Sequence, residues 1–184
     1  MSNIKQITTP LTLDQIADLK AGDQVAITGT IYTGRDAAHK KLLEALDAGE
    51  KLPFDIEGQI IYYVGPCPPQ PGQPIGSAGP TTSGRMDTLS DPLLSIGLKG
   101  MIGKGPRGQM VIDSMIKNKA IYFAAVGGAG ALIARSVKES EVVAYPELGP
   151  EAIYKLTVEN FPAIVAIDAE GNNQYTIGKA EYAV

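Results

Sequence analysis

The sequence holds one cysteine and one histidine, Cys67 and His39, in 184 residues. One cysteine excludes an internal disulfide and makes the cytoplasm the default compartment. One cysteine with one histidine also excludes a Cys- or His-rich metal site built by this chain alone. Any soft-metal chemistry therefore has to be shared with another chain. Positive charge is not in excess: 16 Lys and Arg stand against 20 Asp and Glu, for a net charge of −4. That argues against a nucleic-acid partner, which needs a basic face. No apolar run approaches the roughly 20 residues of a membrane helix. The opening residues, MSNIKQITTP, lack the apolar stretch of a signal peptide. The expectation is a cytoplasmic protein without a membrane partner. What is present suits a packed core, with 44% hydrophobic and 20% charged residues in a length typical of one domain, taken as 1–184.

Punctuation along the chain divides it into alternating strands and helices. Thr12-Leu13-Asp14-Gln15 is a capping box for a short helix that Gly22 closes. Gln24 to Ile31 reads as a strand, and Asp36 to Ala48 carries Leu42, Leu43 and Leu46 at helical spacing before Gly49. Gln59 to Val64 is a strand feeding Gly65 to Gly84, a Pro- and Gly-rich stretch of a length that marks a functional or disordered loop. Asp91-Pro92 reads as the N-cap and first residue of a helix. Strands are expected at Gly100 to Gly103, Ala120 to Val126, Glu141 to Tyr145 and Ala163 to Asp168. Helices are expected at Gln109 to Lys117 and Ala131 to Arg135, the latter opened by Gly127-Gly128-Ala129-Gly130. The alternation predicts an α/β fold, a layered mixed sheet with flanking helices.

Four segments could carry chemistry. Thr33-Gly34-Arg35-Asp36-Ala37-Ala38-His39-Lys40-Lys41 lies where a strand becomes a helix. Free N–H groups at a helix start, with Arg35 beside them, make an anion site. Arg35 and His39 share a helix face at i and i+4; a solvated basic first turn explains the same residues. Gly79-Pro80-Thr81-Thr82-Ser83-Gly84-Arg85-Met86-Asp87 crowds hydroxyls, glycines and an arginine fork for a carboxylate or phosphate, or is a capped glycine turn. Gly103-Lys104-Gly105 offers a point charge but fails the Walker pattern, and Gly127 to Gly130 fails the dinucleotide one. Cys67, between prolines, lacks an activating neighbour and reads as an incidental loop residue. No carboxylate pair or Ser-His-Asp set is evident. The residues alone point to a small anion, with a dicarboxylate among the choices, and do not select a reaction.

Taken together and in order, the Arg35-Asp36-Ala37-Ala38-His39-Lys40, Thr81-Thr82-Ser83-Gly84-Arg85-Met86 and Gly100-Met101-Ile102-Gly103-Lys104-Gly105 segments resemble the β subunit of class I, iron–sulfur-dependent fumarate hydratases. L(+)-tartrate dehydratase β subunits are similar. The resemblance implies a swivelling β/β/α domain and a hydro-lyase that interconverts (S)-malate and fumarate, part of the tricarboxylic acid cycle. It implies a [4Fe–4S] cluster held by the α subunit, no cofactor or metal ligand on this chain, and an α2β2 heterotetramer. It assigns Arg35, Arg85 and Lys104 to the substrate carboxylates and Thr81 to the catalytic base. Asp36, His39 and Thr82 become supporting residues, Asp36 and His39 orienting Arg35. The rival readings are a tartrate dehydratase β subunit or related hydro-lyase, and a non-catalytic anion-binding scaffold.

Overall fold

The computed structural model describes residues 4–125 and 129–182. Among the described residues, seven strands form one mixed sheet: β1 (Lys5–Thr8), β2 (Gln24–Thr33), β3 (Ile60–Tyr62), β4 (Gly100–Gly103), β5 (Ile121–Ala124), β6 (Val137–Ala144) and β7 (Ile153–Ile167). Their order is β1-β2-β3-β4-β5-β7-β6, and β2 also pairs with β7. The extra pairing closes β2, β3, β4, β5 and β7 into a ring. β1 and β3 follow one another along β2, at Val25–Thr28 and Tyr32–Thr33. β6 and β5 likewise share β7, at Ile153–Val158 and Ile164–Ile167. The neighbours β2, β3, β4 and β5 run parallel, so their carboxyl ends share one rim.

Alternation along each strand sends side chains into two cores. Ile31, Ile60, Tyr62, Ile102, Ile121, Phe123, Leu156 and Val165 pack inside the ring. Tyr32, Ile61, Tyr63, Met101 and Tyr122, one residue out of step, pack with Leu42, Leu93, Leu94, Val111 and Met115. Those partners come from the helices α2 (Asp36–Asp47), α3 (Asp87–Ser95) and α4 (Gln109–Asn118). Strand ring, outer strand face and helical layer together form the expected α/β arrangement of a mixed sheet with flanking helices. Two short helices, α1 (Leu13–Asp18) and α5 (Gly130–Ser136), and α6 (Gln174–Tyr182) complete it. The capping box on α1 forms, with Gln15 N–H donating to Thr12 Oγ1 at 3.3 Å and Thr12 N–H to Gln15 Oε1 at 2.9 Å.

Several boundaries differ from expectation. Asp91-Pro92 does not open a helix: α3 starts at Asp87, directly after a 3₁₀ turn at Ser83–Met86. Pro92 inside it forfeits only the bond to the Thr88 carbonyl, and Asp91 instead accepts from Ser114 Oγ on α4. β6 begins at Val137 rather than Glu141, and β7 runs back to Ile153, well before Ala163. Pro162, just before the expected strand start, lies within β7 opposite Ala26, and Asn160 adopts the left-handed region at φ 52°. β1 and α6 were not anticipated. The expected Gly127-Gly128 opening of α5 and the Val126 strand end lie outside the described residues. The 65–84 segment is tied down: Cys67 N–H donates to Ser77 O at 2.9 Å, Gly76 N–H to Cys67 O at 3.1 Å, and Tyr62 Oη to Ala78 O.

Candidate active site

The rim at the carboxyl ends of β2, β3 and β4 gathers the three segments. This is where ligands bind in open α/β sheets, because loops leave the strand ends there and helix N-termini point at them. β2 ends at Thr33, and Gly34-Arg35 leads straight into α2 with Arg35 as N-cap. Thr33 Oγ1 donates to Ala152 O at 3.3 Å and accepts from Tyr154 N–H at 3.0 Å, which fixes the strand end. Beyond β3, Thr81 N–H donates to Tyr63 O at 2.7 Å. Thr82 then lies in a parallel bridge with Lys104, just past β4. Lys104 N–H donates to Thr81 O at 3.3 Å, and Ser83 N–H to Lys104 O at 2.9 Å. Thr81, Thr82 and Lys104 are therefore stitched side by side, with Lys104 and Thr82 exposed and Thr81 half-buried.

Arg85 joins this group to α2. Its Nε donates to Asp36 Oδ1 at 3.2 Å, and its Nη2 lies 3.0 Å from Asp36 Oδ2 as an ion contact off the hydrogen-bond direction. The guanidinium of Arg85 thus sits on the residue next to Arg35 in the chain. Asp36, expected beside Arg35, serves Arg85 instead. The carboxylate near Arg35 is Glu151, with Oε1 3.2 Å from Nε in a contact that is likewise off-line. Arg35 also packs on Gly65: a Cβ there would lie 3.0 Å from Nη1. Neither Glu151 nor Gly65 was singled out from the sequence, because both are distant from Arg35 along the chain.

His39 is fully buried. Its Nδ1 lies 2.9 Å from Arg35 O, an acceptor, so that nitrogen carries the proton and Nε2 presents a lone pair. Nε2 has no partner. Burial drives the His39 pKa down to about 4; the Arg107 charge pushes the same way, against the bond to Arg35 O. His39 is thus a neutral brace on the backbone of Arg35 and adds no charge to the rim.

Underneath lies a residue the sequence reading passed over. Arg107 has a fully buried side chain. Its Nε donates to Asp87 Oδ1 at 2.6 Å and its Nη2 to Ser90 Oγ at 3.1 Å. Its guanidinium carbon lies 5.4 Å from the Tyr63 ring centre and 5.0 Å from that of Tyr122. Burial alone would lower its pKa, but the neighbouring Tyr63 and Asp87 outweigh that and hold it charged.

A sequence-family model for the fumarase C-terminus matches residues 2–178. The chain belongs to the fumarase C-terminal family. Among its relatives is the Escherichia coli protein named fumarate hydratase class I, anaerobic, 47% identical over 163 residues, which are 88% of this chain and 30% of that protein. Fumarate hydratase 2 of Leishmania major is 40% identical over 164 residues, 88% of this chain and 29% of that one. A Methanocaldococcus jannaschii protein provisionally named L(+)-tartrate dehydratase subunit beta is 41% identical over 171 residues, 90% of this chain and 88% of that one. The chain thus spans about 30% of the fumarate hydratases it matches and most of the tartrate dehydratase relative. Fumarate hydratases are hydro-lyases, so this fumarase C-terminal domain is akin to part of a hydro-lyase. No helix among the described residues is long and apolar enough to cross a membrane.

Proposed function

We propose that this chain is the β subunit of a class I fumarate hydratase and supplies the cationic half of a shared active site for the reversible hydration of fumarate to (S)-malate. The observation that carries the reading is the meeting of Arg35, Arg85, Thr81 and Lys104 on one rim of parallel strand ends. Arg35 and Arg85 would grip the substrate carboxylates, since an arginine fork matches a carboxylate in two bonds. Lys104 would add a point charge. The N–H groups at the start of α2 add a partial positive charge on the same side. A dianion brought to such a rim is oriented by charge at both ends, and much of the entropic cost of reaction is then met in binding.

Thr81 would exchange the C3 proton of the substrate at its Oγ1. A hydroxyl is a weak base, and the neighbouring cations Lys104 and Arg85 favour the alkoxide it must approach. Thr82, beside it, would hold the turn through its bridge to Lys104. His39 and Asp36 would act through the arginines that they touch.

The family resemblance calls for a [4Fe–4S] cluster, and this chain does not fit one. Its single cysteine is exposed in a proline loop. Among the described residues no three His, Cys, Asp or Glu side chains group to hold a metal. The cluster and the Lewis acidity it supplies are therefore assigned to an α subunit, in a cytoplasmic α2β2 assembly. Relatives of which this chain spans about 30% support a larger working unit. The test is to mix or co-express this chain with an iron–sulfur α chain without oxygen and follow fumarate absorbance. Hydration by the mixture and by neither chain alone is the expected result; tight dicarboxylate binding by this chain with no turnover in the mixture would favour a scaffold. The Methanocaldococcus jannaschii relative favours a second reading, dehydration of L(+)-tartrate, which the same mixture tests with tartrate in place of malate.

A further inference from the structure

We propose that Arg107 is a positioning residue of this half-site, acting through Tyr122, Tyr63 and Asp87 to fix the Thr81–Arg85 turn against the Lys104 loop. Three observations carry it. First, the buried guanidinium lies against both aromatic rings whose other atoms hold the site. Tyr122 Oη lies 2.8 Å from Ser83 Oγ and 2.8 Å from Gly105 O, touching the residue two past Thr81 and the residue after Lys104. Tyr63 receives the Thr81 N–H on its carbonyl and sets its ring edge-on to His39 at 5.4 Å. Second, the polar arms of Arg107 reach α3, which continues directly from the turn. Asp87 is the first residue of that helix, and Ser90, which accepts from Arg107, donates to Met86 O at 2.7 Å. Asp87 closes the circuit by accepting Gly108 N–H at 2.7 Å. Third, the fit is steric as well as polar: a Cβ on Gly103 would fall 1.9 Å from Ser83 Oγ and 3.0 Å from the Tyr63 ring. The turn can therefore seat against β4 only over a glycine.

A buried cation costs desolvation that an apolar residue of equal size would avoid. Here it is spent on joining two loops that each carry a substrate-facing group, so the network aligns Thr81 with Lys104 more than it adds cohesion.

The kinetic test rests on the hydro-lyase reading; a second readout does not. Tyr122→Phe removes the hydroxyl that holds Ser83 and Gly105 but keeps the ring against Arg107. Arg107→Lys keeps the charge but cannot reach Asp87 and Ser90 together. In the reconstituted complex each variant is expected to lower kcat about tenfold or more per folded chain, with KM rising as well, because Arg85 and Lys104 move with the turn. A purely structural role would lower the melting temperature and leave kcat per folded chain unchanged. Wild-type kcat in folded Tyr122→Phe overturns the proposal, and this variant decides the matter if Arg107→Lys does not fold. In the free chain, amide exchange at Ser83 and Lys104 should quicken about tenfold in Tyr122→Phe with β2 amides unaffected; unchanged exchange there also overturns it. A wild-type complex that hydrates no fumarate defeats the hydro-lyase reading instead, and the exchange result then judges the positioning alone.

Discussion

Arg85 lies in the 3₁₀ turn that leads into α3 and Arg107 reaches the first turn of α3; each is held by an aspartate, yet their settings are opposite. The Arg85 side chain is 54% exposed against Asp36, while that of Arg107 is 0% exposed against Asp87. An exposed guanidinium keeps its remaining N–H groups available to an incoming carboxylate. A buried one has given its groups to the protein. The difference separates the residue that can hold a ligand from the one that shapes the place where it is held.

The sharpest way to break the comparison is to unpair each cation. Arg107→Met should cost about 3 kcal/mol or more in urea unfolding, because Asp87 is left as a poorly solvated charge. Adding Asp87→Leu to that variant should recover most of the loss. Arg85→Met should cost about 1 kcal/mol or less, since a half-exposed pair is screened by water. Equal losses for the two arginines would erase the distinction. In the reconstituted complex the ranking reverses: Arg35→Met or Arg85→Met should lower kcat/KM by roughly a hundredfold, through lost charge-assisted bonds and lost orientation. Wild-type kinetics in either would remove the rim from the mechanism.

A pH-dependent effect concerns His39. Its folded pKa of about 4 lies below the ordinary value of 6.5. Between those values the unfolded chain takes up a proton that the folded chain refuses. Stability is therefore full above pH 6.5 and falls as pH drops towards 4, with a slope of up to about 1.4 kcal/mol per pH unit. His39→Gln should flatten that slope in unfolding curves taken from pH 7 to 4; an unchanged slope would place the titration elsewhere. The smallest effect is expected at Lys41, whose Nζ lies 3.7 Å from Glu147 with both side chains exposed. Lys41→Met should change stability by less than about 0.5 kcal/mol and leave kinetics alone.

The sequence made most of the parallel rim legible, because strand runs and glycine stops are local signals. Gln24 to Ile31 lies within β2, Gln59 to Val64 contains β3, and Gly100 to Gly103 matches β4, the strands that end beneath the site. It did not reveal β1, whose four residues are too few for a period, nor the first half of β7, which Asn160 and Pro162 interrupt. The start of α3 was misplaced because Asp91-Pro92 imitates a helix opening, while the true start grows from a 3₁₀ turn without a side-chain cap. Arg35, Arg85 and Lys104 could be flagged by the glycines around them. Arg107 sits in similar company, between Pro106 and Gly108, yet nothing local says that its side chain turns inward. Its partners Asp87, Tyr63 and Tyr122 come from three other elements, as Glu151 comes to Arg35, and only the folded sheet brings them together.

The closed ring of strands has one more consequence. Arg35 leaves the end of β2 and Lys104 the end of β4, with β3 between them, so their backbones are two strand spacings apart, roughly 10 Å. Hydrogen-bonded strands cannot slide apart without tearing the ring. If the proposed function holds, the barrel would act as a ruler, fixing the separation of these two backbones before any side chain moves onto an anion.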